Sequence, residues 1–444
     1  MLGRAPVASS IGAGRSSQTF ELTLGGRMSR DGRRHRSPRD AVPPIILVAL
    51  AASPAALTRA GFVEPSVPLG TLFFGASVVA AAFAMSWAAE AAERDVPRAL
   101  SLIVVALIAV LPEYAVDIVF AWKAGQDPAF APYAAANMTG SNRLLLGVGW
   151  STVAIIVFLV TRRRIIALDR GGAVAVAFLA AATLYSVTLP FRGAISLADT
   201  VLLASLFGAY AVWAARSGSE EPDLVGPAAA IGALGTTFRR AVVLALFAFA
   251  GIVIALAAEP FADGLVRTGR AIGIDEFLLV QWLAPLASES PEFIVAALLA
   301  IRGRATVAFA LLLSAKINQW TLLVGSLAVS YSIGAGAPSA LPLDSRQQAE
   351  VLLTAAQSVF GVAVLASLTF DVGQAGVLLG LFLAQFVAGG VLRAIVRSNS
   401  AAELELYAFS TLYVALAAVQ LFRTRHALPR PGRARTRSSD GPRR

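Results

Sequence analysis

The sequence predicts an all-α integral membrane protein of about twelve transmembrane helices, built as two inverted five-helix repeats with one extra helix at each end. Three observations predict it. The chain is 57% hydrophobic and only 14% charged, little more than half the charge of an ordinary soluble domain. Apolar runs near the ~20-residue length of a membrane span follow one another from residue 43 onward. Two Pro-Glu motifs, each followed by a polar break in the next span, recur in the two halves.

The runs are 43–58, 67–92, 99–122, 132–160, 172–190 and 194–215 in the first half. The second half gives 241–258, 275–300, 305–331, 350–370, 374–395 and 402–422. The first is short and Pro-rich. The expected domains are therefore an extra span within 42–66, a first repeat over 67–215, a linker at 216–240, a second repeat over 241–395 and an extra span within 396–422. Segments 1–41 and 423–444 each carry eight Arg and few acids and read as disordered basic tails. An even number of spans puts both tails on one side. That side collects 27 basic residues and the other eight: Arg59, Lys123, Arg192, Arg267, Arg270, Arg346, Arg393 and Arg397. The positive-inside rule makes the rich side cytoplasmic, so the expected location is the plasma (inner) membrane with both termini inside. The net charge of +10 is then an orientation device, and nucleic acid is not an expected partner; the lipid bilayer is. Cys is absent, and the two His, His35 and His426, lie in the tails. Thiolate and imidazole metal centres are excluded.

Six charges remain at membrane depth: Glu113, Asp117, Glu289, Glu292, Arg143 and Lys316. A lone charge there costs about 2.5–3.5 kcal/mol, so six unpaired would cost about 15–20 kcal/mol. They must face one another, water or a bound ion. The third span reads ALIAVLPEYAVDIVFAWKAG and the eighth LAPLASESPEFIVAALLAIRG. Each places Pro-Glu near mid-span. Pro112 and Pro291 cannot donate to the carbonyls of Ile108 and Ala287, and these helix-breaking residues free oxygens that can coordinate a cation. The following spans correspond as well, with Ser141-Asn142-Arg143 aligned to Ser314-Ala315-Lys316. Five spans per unit invert the second copy, and polar breaks at matched positions of two halves point to a transporter's midplane site.

At AVLPE, NMTGSN and SESPE the sequence resembles the cation/calcium exchanger superfamily, as a divergent member with the sodium/calcium exchanger membrane-region fold. The likeness covers about residues 67–395. That family carries G-T-S-L-P-E in one span and G-N-x-x-G-S-N in the next. The resemblance maps its central carboxylates onto Glu113 and Glu292, its coordinating Ser onto Ser141 and its paired hydroxyls in the second repeat onto Ser288 and Glu289. Asn137 is the first residue of the NMTGSN stretch. In the first repeat the hydroxyl positions are Ala109 and Val110. A further amide ligand is replaced by Leu145 in the first repeat and is Gln319 or Asn318 in the second.

The expectation is a secondary active cation antiporter, not an enzyme, exchanging Ca²⁺ or Na⁺ against Na⁺ or H⁺ by alternating access, with no cofactor. Glu113, Glu289 and Glu292 would hold the metal, helped by Ser141, Ser288, Gln319 or Asn318. Arg143 and Lys316 would compensate charge or couple protons, and Asp117 and Asn137 would form a secondary site. The alternatives are a twelve-span major-facilitator-type carrier, whose signature loop is poorly matched by ERDVPR, and an intramembrane enzyme using Ser and Lys316.

Overall fold

The computed structural model describes residues 38–95, 111–216, 224–395 and 399–425. Most of both basic tails, the first half of the 99–122 span with Ile108, Ala109 and Val110, and part of the 216–240 linker lie outside the described residues. Within them the chain is helical: α1 (Val42–Arg59), α2 (Val67–Ala92), α3 (Leu111–Gln126), α4 (Ala131–Leu144), α5 (Ser151–Thr161), α6 (Arg170–Ser186), α7 (Leu189–Arg192) and α8 (Leu197–Arg216). The second half gives α9 (Gly226–Gly232), α10 (Thr236–Ile272), α11 (Glu276–Ile301), α12 (Ala305–Asn318), α13 (Val324–Ala335), α14 (Ser345–Leu365), α15 (Val372–Ile395) and α16 (Asn399–Thr424). Eleven described spans are long and apolar enough to cross a membrane. The twelfth expected span is described from Leu111 onward, as α3.

Three local features depart from the sequence expectations. The break between α4 and α5 is a π-helical segment, Leu145–Trp150, and its counterpart between α12 and α13 is Gln319–Leu323. The spans therefore stay continuous while one turn widens, a form that recurs at functional sites. Pro291 does not break its helix, because α11 runs on through both Pro285 and Pro291. Each proline removes one donor without ending the helix. Third, α10 extends well beyond 241–258, through Pro260, to 37 residues, or about 55 Å. Its outer turns are held by Lys123 of α3, which contacts Glu259 at 3.2 Å and Asp263 at 2.6 Å.

The two halves interlock. The α2 and α10 helices pack along each other, α3 lies against α13, and α11 lies against α4 and α5. Each Pro-Glu helix is thus covered by the π-containing span of the other half. Glycine permits the closest approaches. A Cβ on Gly125 would lie 2.2 Å from the Tyr331 carbonyl oxygen, and one on Gly334 would lie 2.0 Å from that of Trp122. At Gly140 it would lie 1.8 Å from the carbonyl oxygen of Gln281, a group whose helical donor Pro285 has removed.

Short strands tie the loops: β1 (Ile165–Ala167), β2 (Ala194–Ile195), β3 (Leu341–Pro342) and β4 (Thr369–Asp371). Antiparallel pairing joins β1 to β4 and β2 to β3. Each pair joins loops that the charge count assigns to a common side, β1 and β4 to the basic side and β2 and β3 to the opposite one. The bridges between Arg239 and Asp95 and between Arg346 and Asp275 also link segments assigned to one side.

Candidate functional site

Glu113 and Asp117 lie one turn apart on α3, and Glu289 and Glu292 lie one turn apart on α11. Interlocking of the halves brings the two acidic pairs together with the polar stretch of α4 and the junction at the end of α12. Glu113 and Glu289 interact with each other, with Lys316, and with the Ser141 and Gln319 side chains. Glu292 interacts with Glu113, and Asp117 interacts with Glu113 and Asn137. Glu113, Asp117, Glu289, Ser141, Asn137 and Gln319 are all buried.

The hydrogen bonding at this meeting point is incomplete. Nine buried oxygen atoms have no hydrogen-bond partner: one each on Glu113, Asn137, Ser141, Glu292 and Gln319, and both on Asp117 and Glu289. Buried polar groups are normally satisfied, so this convergent set of open acceptors marks the candidate site. Among the described residues no three acidic side chains sit close enough to hold a metal ion by themselves. As they stand, the expected ligands Glu113, Glu289 and Glu292 do not form such a group. The Glu292 carboxylate also feels the like charge of Glu90 on α2.

The remaining expected residues divide. The Asn318 amide oxygen accepts a 2.9 Å hydrogen bond from Tyr114, whereas the Gln319 oxygen is open, so Gln319 presents the free acceptor. Ser288 donates to the Ala284 carbonyl of its own helix at 3.1 Å. Lys316 is fully buried, donating to the Asn142 carbonyl oxygen at 2.7 Å and to its side-chain oxygen at 2.8 Å. Arg143 has partners outside the acidic cluster. Its guanidinium pairs with Glu350 of α14 at 2.6 Å, also donates to Gln385 of α15, and lies over the Trp282 ring at 5.1 Å. Gln281 donates to the same Glu350 at 3.0 Å, and Gln385 donates to Glu405 of α16 at 3.0 Å. Glu350, Gln281, Gln385, Glu405 and Glu90 were not singled out in the sequence. The amides at 281 and 385, isolated within apolar runs, were the available signal.

A family model described as sodium/calcium exchanger protein matches residues 66–216 and 242–391. The chain belongs to the sodium/calcium exchanger protein family. Comparison with curated proteins gives no match. Among solved structures, the H⁺/Ca²⁺ exchanger CAX is 44% identical, with a TM-score of 0.81 over 88% of this chain and 96% of that one. Native YfkE is 14% identical with a TM-score of 0.55, covering 77% of this chain and 97% of its own. A selenium-substituted Ca²⁺/H⁺ antiporter protein YfkE is 13% identical with a TM-score of 0.57 over the same shares. The YfkE structures share the fold. The major-facilitator alternative is set aside by the family match. The chain is a multi-pass, all-α membrane transporter of inorganic cations.

Proposed function

We propose that this cation antiporter exchanges Ca²⁺ for H⁺ by alternating access, and that the three carboxyl groups of Glu113, Glu289 and Glu292 are the shared binding groups. The single observation that carries this reading is the convergence of nine unpartnered buried oxygens from α3, α4, α11 and the Gln319 π-turn. Calcium takes six to eight oxygens, and an open carboxylate oxygen accepts either a proton or Ca²⁺ but not both at once. Competition for the same atoms is what an exchanger requires. Glu113, Glu289 and Glu292 bind from the two halves, Ser141 and Gln319 complete the set, Ser288 lines it, and Asp117 with Asn137 forms an access site. The 44% identity to an H⁺/Ca²⁺ exchanger supports the choice of ions. Under this reading 67–215 and 241–395 are the inverted repeats, both termini face the cytoplasm of the plasma membrane, and the protein is a transporter with no enzymatic step and no resident cofactor.

The test is Ca²⁺ flux into proteoliposomes under an imposed pH gradient, comparing the wild type with Glu113→Gln and Glu292→Gln. The wild type should respond to the gradient, and each variant should lose the response. If both variants transport at the wild-type rate, the site is wrongly placed.

A further inference from the structure

The two halves place a basic residue at equivalent positions, Arg143 and Lys316, but the structure treats them oppositely. Arg143 has its own buried counter-charge in Glu350 and brings no net charge to the transport site. Lys316 has no ion-pair partner of that kind among the described residues. Its ammonium is seated on two carbonyl-type oxygens of one residue, Asn142, at 2.7 and 2.8 Å, with the Trp320 ring at 5.3 Å. It acts on the site through Glu113 and Glu289. The asymmetry is written in the motif. Ala315 stands where the first half has Asn142, so no matching amide is offered to Arg143.

A backbone carbonyl and an amide oxygen beside a widened helical turn form the kind of donor set that transporters present to a monovalent cation. Here a compact ammonium fills it, and a covalent tether prevents its departure. We infer that Lys316 is a tethered cation which takes the place of one Na⁺ in the site and thereby fixes the exchanger's indifference to Na⁺; the inference rests on the antiporter reading above. A sodium ion competing for the Asn142 oxygens meets both a resident charge of the same sign and the high effective concentration of a group attached to the same chain. Neutralising that charge leaves the oxygens and the acidic field in place for a free ion. Arg at this position keeps the charge.

The experiment uses the full chain in proteoliposomes, with Ca²⁺ flux read under an imposed Na⁺ gradient at equal pH on both sides. Wild type and Lys316→Arg should ignore Na⁺. Lys316→Gln should gain a Na⁺ response of about tenfold, equivalent to about 1.4 kcal/mol. Na⁺-driven flux in the wild type overturns the inference, as does a Lys316→Gln protein that carries Ca²⁺ yet ignores Na⁺. Wild type that carries no Ca²⁺ in any ion gradient overturns the antiporter reading and this inference with it. A second readout does not require transport. Na⁺ should raise the thermal unfolding midpoint of detergent-purified Lys316→Gln and not that of the wild type, and equal behaviour of the two proteins refutes the tethered-cation role.

Discussion

Replacing Arg143 with Met should cost the folded protein about 3–5 kcal/mol, because it strips the counter-charge from a buried carboxylate. The magnitude follows from the surroundings. Arg143 and Glu350 are 2% and 1% exposed, their closest atoms are 2.6 Å apart, and the guanidinium also serves Gln385 and the Trp282 ring. The Gln281 amide also donates to Glu350. Glu350→Leu should cost a similar amount by stranding the guanidinium. The double variant Arg143→Met with Glu350→Leu removes both charges and should return to within about 1–2 kcal/mol of the wild type, since apolar replacement of a whole buried pair is often neutral. The interaction energy of the cycle is then several kcal/mol. Thermal unfolding of the purified protein in detergent measures all four species, and Ca²⁺ affinity should survive in the double variant because Arg143 does not face the site. Two single losses that simply add, or an Arg143→Met protein within about 1 kcal/mol of the wild type, would refute this reasoning.

Further perturbations are as direct. Gly334→Ala places a methyl 2.0 Å from the Trp122 carbonyl oxygen, so α3 and α13 must separate, with an overpacking loss of about 1–3 kcal/mol; an unchanged unfolding midpoint would mean the contact is not close. Tyr114→Phe removes the donor to Asn318 and should cost about 0.5–1.5 kcal/mol, read by the same unfolding assay. Outside the spans, the hydrogen bond from Arg239 holds Asp95 below the ordinary carboxylate range. A depressed folded value means that the stabilisation is present above the unfolded value of about 3.9 and is lost as pH falls through the folded one. The stability gap between wild type and Asp95→Asn should therefore be full near neutral pH and close in strong acid, and a gap that persists there would contradict it.

The spans and the meeting of the two Pro-Glu helices were legible because both depend on local signals: apolar length, and charges too costly to bury alone. The partner of Arg143 was not, because it lies 207 residues away and no spacing rule reaches that far. Glu350 was read as the first residue of a span, at its boundary, although a signal stood upstream. Asp344 and Gln347 form a capping box that starts α14 at Ser345 and carries Glu350 more than a turn into the helix. The π-turns and the two-to-three-residue strands leave no periodicity to read. Pro291 was over-read as a break, since a membrane helix surrounded by other helices can lose one donor and continue.

The two strand pairs carry a mechanical consequence. The segment from β1 through α6 and α7 to β2 belongs to the first half, and the segment from β3 through α14 to β4 belongs to the second. Pairing of β1 with β4 and of β2 with β3 fastens these segments to each other at both membrane faces. Together they form a closed frame, two helical uprights with a hydrogen-bonded crossbar at each end. Such a frame resists shear between its uprights. Any movement that opens the carboxylates to one face and then the other must therefore leave this frame intact.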